Sequence, residues 1–407
     1  MQDMFNELLI FRNIQQNPVI DQFRKFTTAR EIPHKVEHLF QMQYEIVRIS
    51  GKKGISWKQT VLDILLMDEN LFTLKCERRE RIDENLLTLV AGDIHIIRNL
   101  YNYDWITVLE ELSVNRSTVF TLDTEEFENI DIHSLLANNN IGERFIVKEL
   151  SNYIRENGTG LFSKESVFKW DDAKQCLSEI KEFDRVRFED LIGYEGQTKV
   201  LKENTLSFID RGKGNNVLLY GQRGTGKSSS VKALVNEYAH KGLKIIELKK
   251  GQLDAIASII EITRHRDFKF ILFIDDLSFE EFETDYKKFK AIIEGSFEKK
   301  PNNVLIYVTS NRHHLVRETF KEREEDVNVS ETAQEKLSLF DRFGLTILYE
   351  QPKDDLYNEM VIKLARRNGI KLPEKELLQL ANEWKVSKAS KSGRAAQQLV
   401  DSLSSKL

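Results

Sequence analysis

The residues of this chain whose types and spacing have the clearest chemical use are Gly221, Gln222, Arg223, Gly224, Thr225, Gly226, Lys227 and Ser228, followed by Ser229. The spacing G-x-x-x-x-G-K-S lets a backbone turn its N–H groups inward around an anion, in conformations that a Cβ would obstruct. Lys227 is expected to hold β- and γ-phosphate oxygens, and the Ser228 hydroxyl to take one position on Mg²⁺. Such a loop works only between a buried strand and a helix whose positive N-terminal end faces the same anion. The sequence provides both, an apolar run at residues 216–220 and a helical stretch at 228–238. The stretch therefore reads as a phosphate-binding P-loop, or Walker A motif.

Carboxylates come next. The apolar run 268–274 ends in Asp275 and Asp276, and ligands of open α/β sheets bind beyond the carboxyl ends of the strands. Asp275 is expected to hold Mg²⁺ as a Walker B residue, and Asp276 to polarise a water nucleophile, with Glu280 in reserve for that role. A further strand, 304–308, ends in Thr309, Ser310 and Asn311, where an amide can orient the water. Arg342 reads either as a finger supplied to the site of a neighbouring subunit or as half of a surface pair with Asp341. Arg394 lies in the first turn of the last helix, where the dipole opposes a positive charge, so reaching across to phosphate would explain its place. Ile192, Gly193 and Tyr194 read as a wall against an adenine ring, the glycine allowing close approach.

The elements needed to position these groups divide the chain into three expected parts. Residues 1–183 are mainly helical, with helical patterns at 57–76, 82–101, 105–112 and 141–154 and a strand or loop at 161–170. The strings Asp68-Glu69-Asn70-Leu71 and Asp83-Glu84-Asn85-Leu86 look alike, and read as coincidence between similar helices. His34, His38, His95 and His133 are scattered and read as surface or packed histidines. Residues 184–350 alternate strand and helix, with a charged helix expected at 284–297 and an exposed charged segment at 317–331. Residues 351–407 are helical at 354–368, 373–384 and 392–403.

Composition narrows the setting. With 407 residues, 41% hydrophobic and 31% charged, the chain is that of a multidomain globular protein, and a net charge of −5 gives no global reason to expect nucleic acid. Arg366, Arg367, Lys385, Lys388 and Lys391 form a local basic run that reads first as a solvated face. The cysteines, Cys76 and Cys176, fit a reducing cytoplasm, and neither a secretory signal nor a membrane span is evident.

In order, the Gly193-Tyr194 box, Walker A, Walker B, the Asn311 strand, Asp341-Arg342-Phe343-Gly344 and a helical tail with Arg394 resemble the AAA+ P-loop ATPases. The strings LIGYEGQ, VLLYGQRGTGKSS, FILFIDDLSFE, NVLIYVTSNRHHL, EKLSLFDRFGL and SGRAAQQLV look more closely like a bacterial AAA+ family catalogued as a domain of unknown function, family 815. That resemblance covers residues 183–407 well. It implies an α/β fold with a five-stranded parallel sheet and a C-terminal helical lid, ATP and Mg²⁺ as cofactors, and Asn311, Arg342 and Arg394 as sensor 1, arginine finger and sensor 2. It also implies a homo-oligomer, ATP hydrolysis, and an unidentified protein or nucleic-acid client. Asp276 departs from the glutamate common there, which favours slow turnover. The alternatives are a nucleotide-gated scaffold with little turnover and a DNA-associated, loader-like ATPase.

Overall fold

The computed structural model describes residues 4–50, 56–114, 130–278, 289, 292–293, 301–311 and 342–405. It divides into two compact units, meeting between Lys164 and Glu165.

The first unit is helical among its described residues: α1 (Pro18–Thr28), α2 (Ile32–Ser50), α3 (Trp57–Met67), α4 (Leu71–Glu77), α5 (Glu84–Tyr101), α6 (Trp105–Glu111), α7 (Ile130–Ala137) and α8 (Glu143–Asn157). The sequence suggested one helical stretch over 57–76, but the chain breaks after Met67. Asn70 accepts hydrogen bonds from the backbone N–H groups of Phe72 and Thr73, and the Thr73 hydroxyl accepts one from the Asn70 N–H, which starts a new helix. The similar string at 83–86 is capped instead by its first residue, Asp83, so the two copies sit in different frames of their helices. His133 is buried between Tyr101 and Gln59, and His95 bonds Glu143.

The second unit is built on one mixed sheet: β1 (Val167–Asp171), β2 (Cys176–Glu179), β3 (Val217–Gly221), β4 (Leu243–Leu248), β5 (Lys269–Ile274), β6 (Val304–Ser310) and β7 (Leu345–Tyr349). The order is β2-β1-β4-β5-β6-β3-β7. The five strands anticipated from sequence lie side by side and parallel. The sheet nevertheless has seven strands, because β1 adds to β4 in parallel and carries β2 as an antiparallel hairpin partner. The boundary expected after residue 183 thus falls inside this unit.

Helices α9 (Glu195–Arg211), α10 (Lys227–Tyr238) and α11 (Ile256–Thr263) belong to the same unit, and α12 (Asp354–Arg367), α13 (Glu374–Lys388) and α14 (Gly393–Ser404) pack together at its C-terminal end. Strands β5 and β6 are buried almost throughout, which is why they read as unbroken apolar runs. The expected charged helix at 284–297 falls mostly, and the segment at 317–331 entirely, outside the described residues.

Strand β3 ends at Gly221, where φ is +128° and a Cβ would lie 2.1 Å from the carbonyl oxygen of Tyr349 on β7. Only glycine lets the strand turn there against its neighbour's backbone. Gly221→Ala should therefore cost about 1–3 kcal/mol or more in urea unfolding, and a variant as stable as the wild type would contradict this packing.

Candidate functional site

The loop leaving β3 is held from behind by backbone and from within by its own side chains. Gln222 N–H donates to the Tyr349 carbonyl (3.2 Å), and the Thr225 hydroxyl donates to the Gln222 carbonyl (2.8 Å). Gly224 and Gly226 take φ of +77° and +93°, the left-handed region that an inward-facing loop requires. Helix α10 starts at Lys227 with Gly226 as its cap and no side-chain acceptor for its first N–H groups, so these point toward the space enclosed by the loop.

Lys227 is 6% exposed, yet its ammonium is fully engaged. Nζ donates to the carbonyls of Gly221 (2.9 Å) and Gln222 (2.6 Å) and to Oδ1 of Asn311 (2.9 Å). Asn311 is within reach because the sheet inserts β6 between β3 and β5. The same amide donates through Nδ2 to Oδ1 of Asp276 (2.5 Å), so Asn311 bridges the lysine and the carboxylate.

Thr309, a residue to which the sequence reading gave no role, holds the Asp275 carboxylate and the Asp276 backbone. Its hydroxyl donates to Asp275 Oδ1 and accepts from the Asp276 N–H, while its carbonyl accepts from Leu277 N–H. Asp275 Oδ1 also accepts from the Ser228 hydroxyl (2.5 Å), bringing together the two side chains expected on a metal. Asp276 has φ of +51°, a conformation that aspartate tolerates better than most residues. Among the described residues no group of three or more His, Cys, Asp or Glu gathers. The donor set of one hydroxyl and one or two carboxylates nonetheless suits Mg²⁺, which keeps waters and takes its remaining ligands from substrate phosphate.

Opposite the loop stands α14. Ser392 caps it by accepting from Ala395 N–H, and Arg394 N–H donates to the Gly224 carbonyl (3.3 Å), so the helix start rests on the loop itself. Between loop, strand ends and α14 lies a cavity of about 850 Å³. Its polar wall carries Arg223, Lys227, Ser228, Asp275, Asp276, Asn311 and Arg394, and Gly224, Thr225, Gly226 and Ser229 also face it. Leu191, Ile192, Tyr194, Met360 and Leu364 make its apolar end.

Not every expected site residue meets this space. Gly221 and Gln222 shape the loop from outside the cavity lining. Gly193 faces Leu356, where a Cβ would lie 2.3 Å from a side-chain carbon, so its lack of a side chain serves helix packing. Tyr194 stacks on Tyr349 with ring centroids 5.2 Å apart and donates its hydroxyl to the Glu350 carbonyl. Arg342 precedes the N-terminal end of β7, a strand parallel to β3, and therefore lies toward the opposite end of the sheet from the loop. Glu280 lies outside the described residues. Among the cavity residues given no site role in the sequence reading are Arg367, which pairs with Asp190 (3.0 Å) and the Glu189 carbonyl (2.9 Å), and Asn368 beside it.

The sheet delivers a glycine loop, a buried lysine, paired aspartates and an asparagine to one cavity, the arrangement of a P-loop α/β fold. The profile of the family described as "Protein of unknown function (DUF815)" matches residues 163–407, and the chain belongs to that family. Among solved structures it is similar to the Thermotoga maritima RuvB Holliday junction branch migration motor, at 17% identity and a TM-score of 0.38, over 53% of this chain and 63% of that one. Two single-substitution forms of RuvB from the same organism match at 17% and 16% identity, each with a TM-score of 0.38, over 53% of this chain and 63% and 64% of theirs. No curated protein matches the sequence.

Burial pushes the Lys227 ammonium down to about 8 from its ordinary 10.5, with Asp276 and Asp275 opposing that fall and Arg223 and Arg394 adding to it. The sign follows directly. Below pH 8 the group is charged in both folded and unfolded chains, and the folded state carries the full cost of burying it. Between pH 8 and 10.5 the folded chain sheds the proton while the unfolded chain keeps it, so stability from this group rises. Urea unfolding of wild type and Lys227→Met should show the wild type gaining relative stability across that window and not below it; a flat difference would contradict the assignment.

Proposed function

We propose that the second unit binds Mg-ATP and hydrolyses it, and that loss of the γ-phosphate moves the α12–α14 lid against the sheet to act on a macromolecular client. The observation that carries this reading is the convergence of Lys227, Ser228, Asp275, Asp276, Asn311 and Arg394 on one cavity. In it, Lys227 exchanges its loop carbonyls for β- and γ-phosphate oxygens, and the loop and α10 N–H groups bind the same anion. Ser228 and Asp275 would hold Mg²⁺, which when bound neutralises charge on the phosphates. Asn311 orients the attacking water and Asp276 accepts its proton. The apolar end, with Ile192 and Tyr194, takes the adenine.

Arg394 reaches the phosphates from the lid, so lid position depends on what the loop holds. Arg342 lies toward the far end of the sheet and serves as the finger of a neighbouring chain in a head-to-tail homo-oligomer. Among the described residues no helix is long and apolar enough to cross a membrane. The proposed setting is the cytoplasm, with a protein or nucleic-acid client. One observation favours the slower, gating version of this function: the Asp276 carboxylate accepts a hydrogen bond from Asn311, which competes with its use as a base.

Phosphate release by wild type, Lys227→Ala, Asp275→Ala and Asp276→Ala tests the reading. Lys227→Ala should lose nucleotide binding, whereas Asp276→Ala should keep it and lose turnover by on the order of 10²-fold. Hydrolysis unchanged in all three variants would end the proposal.

A further inference from the structure

The loop's three side chains between Gly221 and Gly226 are not used alike. Gln222 anchors the loop through its backbone, donating N–H to Tyr349 and accepting from both Thr225 and Lys227. Thr225 is buried, and its hydroxyl closes the turn. Arg223 does neither: it is exposed, it lines the cavity, and among the described residues its guanidinium has no carboxylate partner. The Arg394 side chain is likewise without a carboxylate partner among the described residues. The two are brought close because Gly224, next to Arg223 in sequence, accepts the Arg394 N–H and packs against Arg394 Cβ, only 3.3 Å from where a glycine Cβ would be.

Two arginines and a buried lysine line one wall of the cavity, so three like charges face the same space. The carboxylates opposite offset part of that charge, and each already has hydrogen-bonding partners. Asp275 is committed to Ser228 and Thr309, and Asp276 to Asn311. An incoming polyanion would meet this wall with the opposite charge. Both ends of the turn that carries Arg223 are fixed by hydrogen bonds, which fixes the point from which its side chain leaves the backbone at the cavity.

Resting on the ATPase reading above, we propose that Arg223 is a further catalytic residue, a guanidinium supplied in cis to the transferring γ-phosphoryl group. Water oxygen forms the new bond to the γ-phosphorus as the bond to the β-phosphate oxygen breaks. The water proton passes to the Asp276 carboxylate, and ADP carries away the electron pair. Arg223 donates to the equatorial oxygens, where charge is spread in the transition state. A single chain then has a cation of its own for this step. Arg342 is set apart by the length of β7, about 16 Å for its 5 residues.

The test is steady-state ATP hydrolysis together with ATP and ADP affinities for wild type, Arg223→Ala and Arg223→Lys in the full chain with Mg²⁺. The expected result for Arg223→Ala is a kcat lower by on the order of 10²-fold. KM for ATP should move by less than about threefold and ADP affinity by less than about twofold, with part of kcat recovered by Arg223→Lys. Because the side chain is exposed, the urea midpoint should be unchanged, which separates loss of chemistry from loss of fold. A kcat within about twofold of wild type, or equal losses of ATP and ADP affinity that account for the whole effect, overturns the role of Arg223 alone. A wild-type chain that does not hydrolyse ATP overturns the underlying reading as well.

Discussion

A buried ammonium is the constraint around which the second unit is arranged. Lys227 is almost out of water, and the chain offers it two loop carbonyls and an amide oxygen, none of them charged. Desolvation without a bonded counter-ion costs energy, and the cost shows as a depressed pKa. Each neighbouring element can be understood as keeping that lysine in place. Gly221 turns the strand against β7, Thr225 closes the loop, and β6 carries Asn311 to the one position between loop and carboxylates. A site prepared this way stabilises an anion through groups already oriented, so little reorganisation is needed on binding.

Thr309 shows how a residue with no direct chemical duty can govern the site. Its hydroxyl ties Asp275 to β6, and its acceptance of the Asp276 N–H stabilises the left-handed turn after β5. The two aspartates are consecutive in sequence yet face different partners, Ser228 for one and Asn311 for the other. On the proposed reading, that divergence separates the carboxylate that would hold Mg²⁺ from the one that would face the water. It follows from the backbone conformation at Asp276, which turns the chain sharply as it leaves the strand.

The parts of this fold visible in the sequence are those specified locally. Strands β3, β5 and β6 are legible because burial on both faces leaves continuous apolar runs, and the loop residues because their glycines answer a local backbone need. The stretch 161–170 reads as strand or loop, and its place in the sheet as β1, with β2 beside it, was not legible because its parallel partner, β4, lies more than 70 residues downstream. The break between α3 and α4 was hidden by a single capping asparagine. Thr309 and Arg367 depend on which strands and helices become neighbours, Thr309 through the placing of β6 beside β5, Arg367 through the meeting of α12 with the segment before α9. Gly193 illustrates the reverse: its need for glycine was legible, but the neighbour that imposes it, Leu356, was not.

The central claim is that this cavity exists to hold a nucleoside triphosphate with its divalent ion. Calorimetric titration of the full-length, folded chain with ATP, with and without Mg²⁺, tests it most directly. Saturable binding of one nucleotide per chain, strengthened by the metal, is the predicted result. A folded chain that takes up no measurable ATP in the presence of Mg²⁺ would contradict the account at its base.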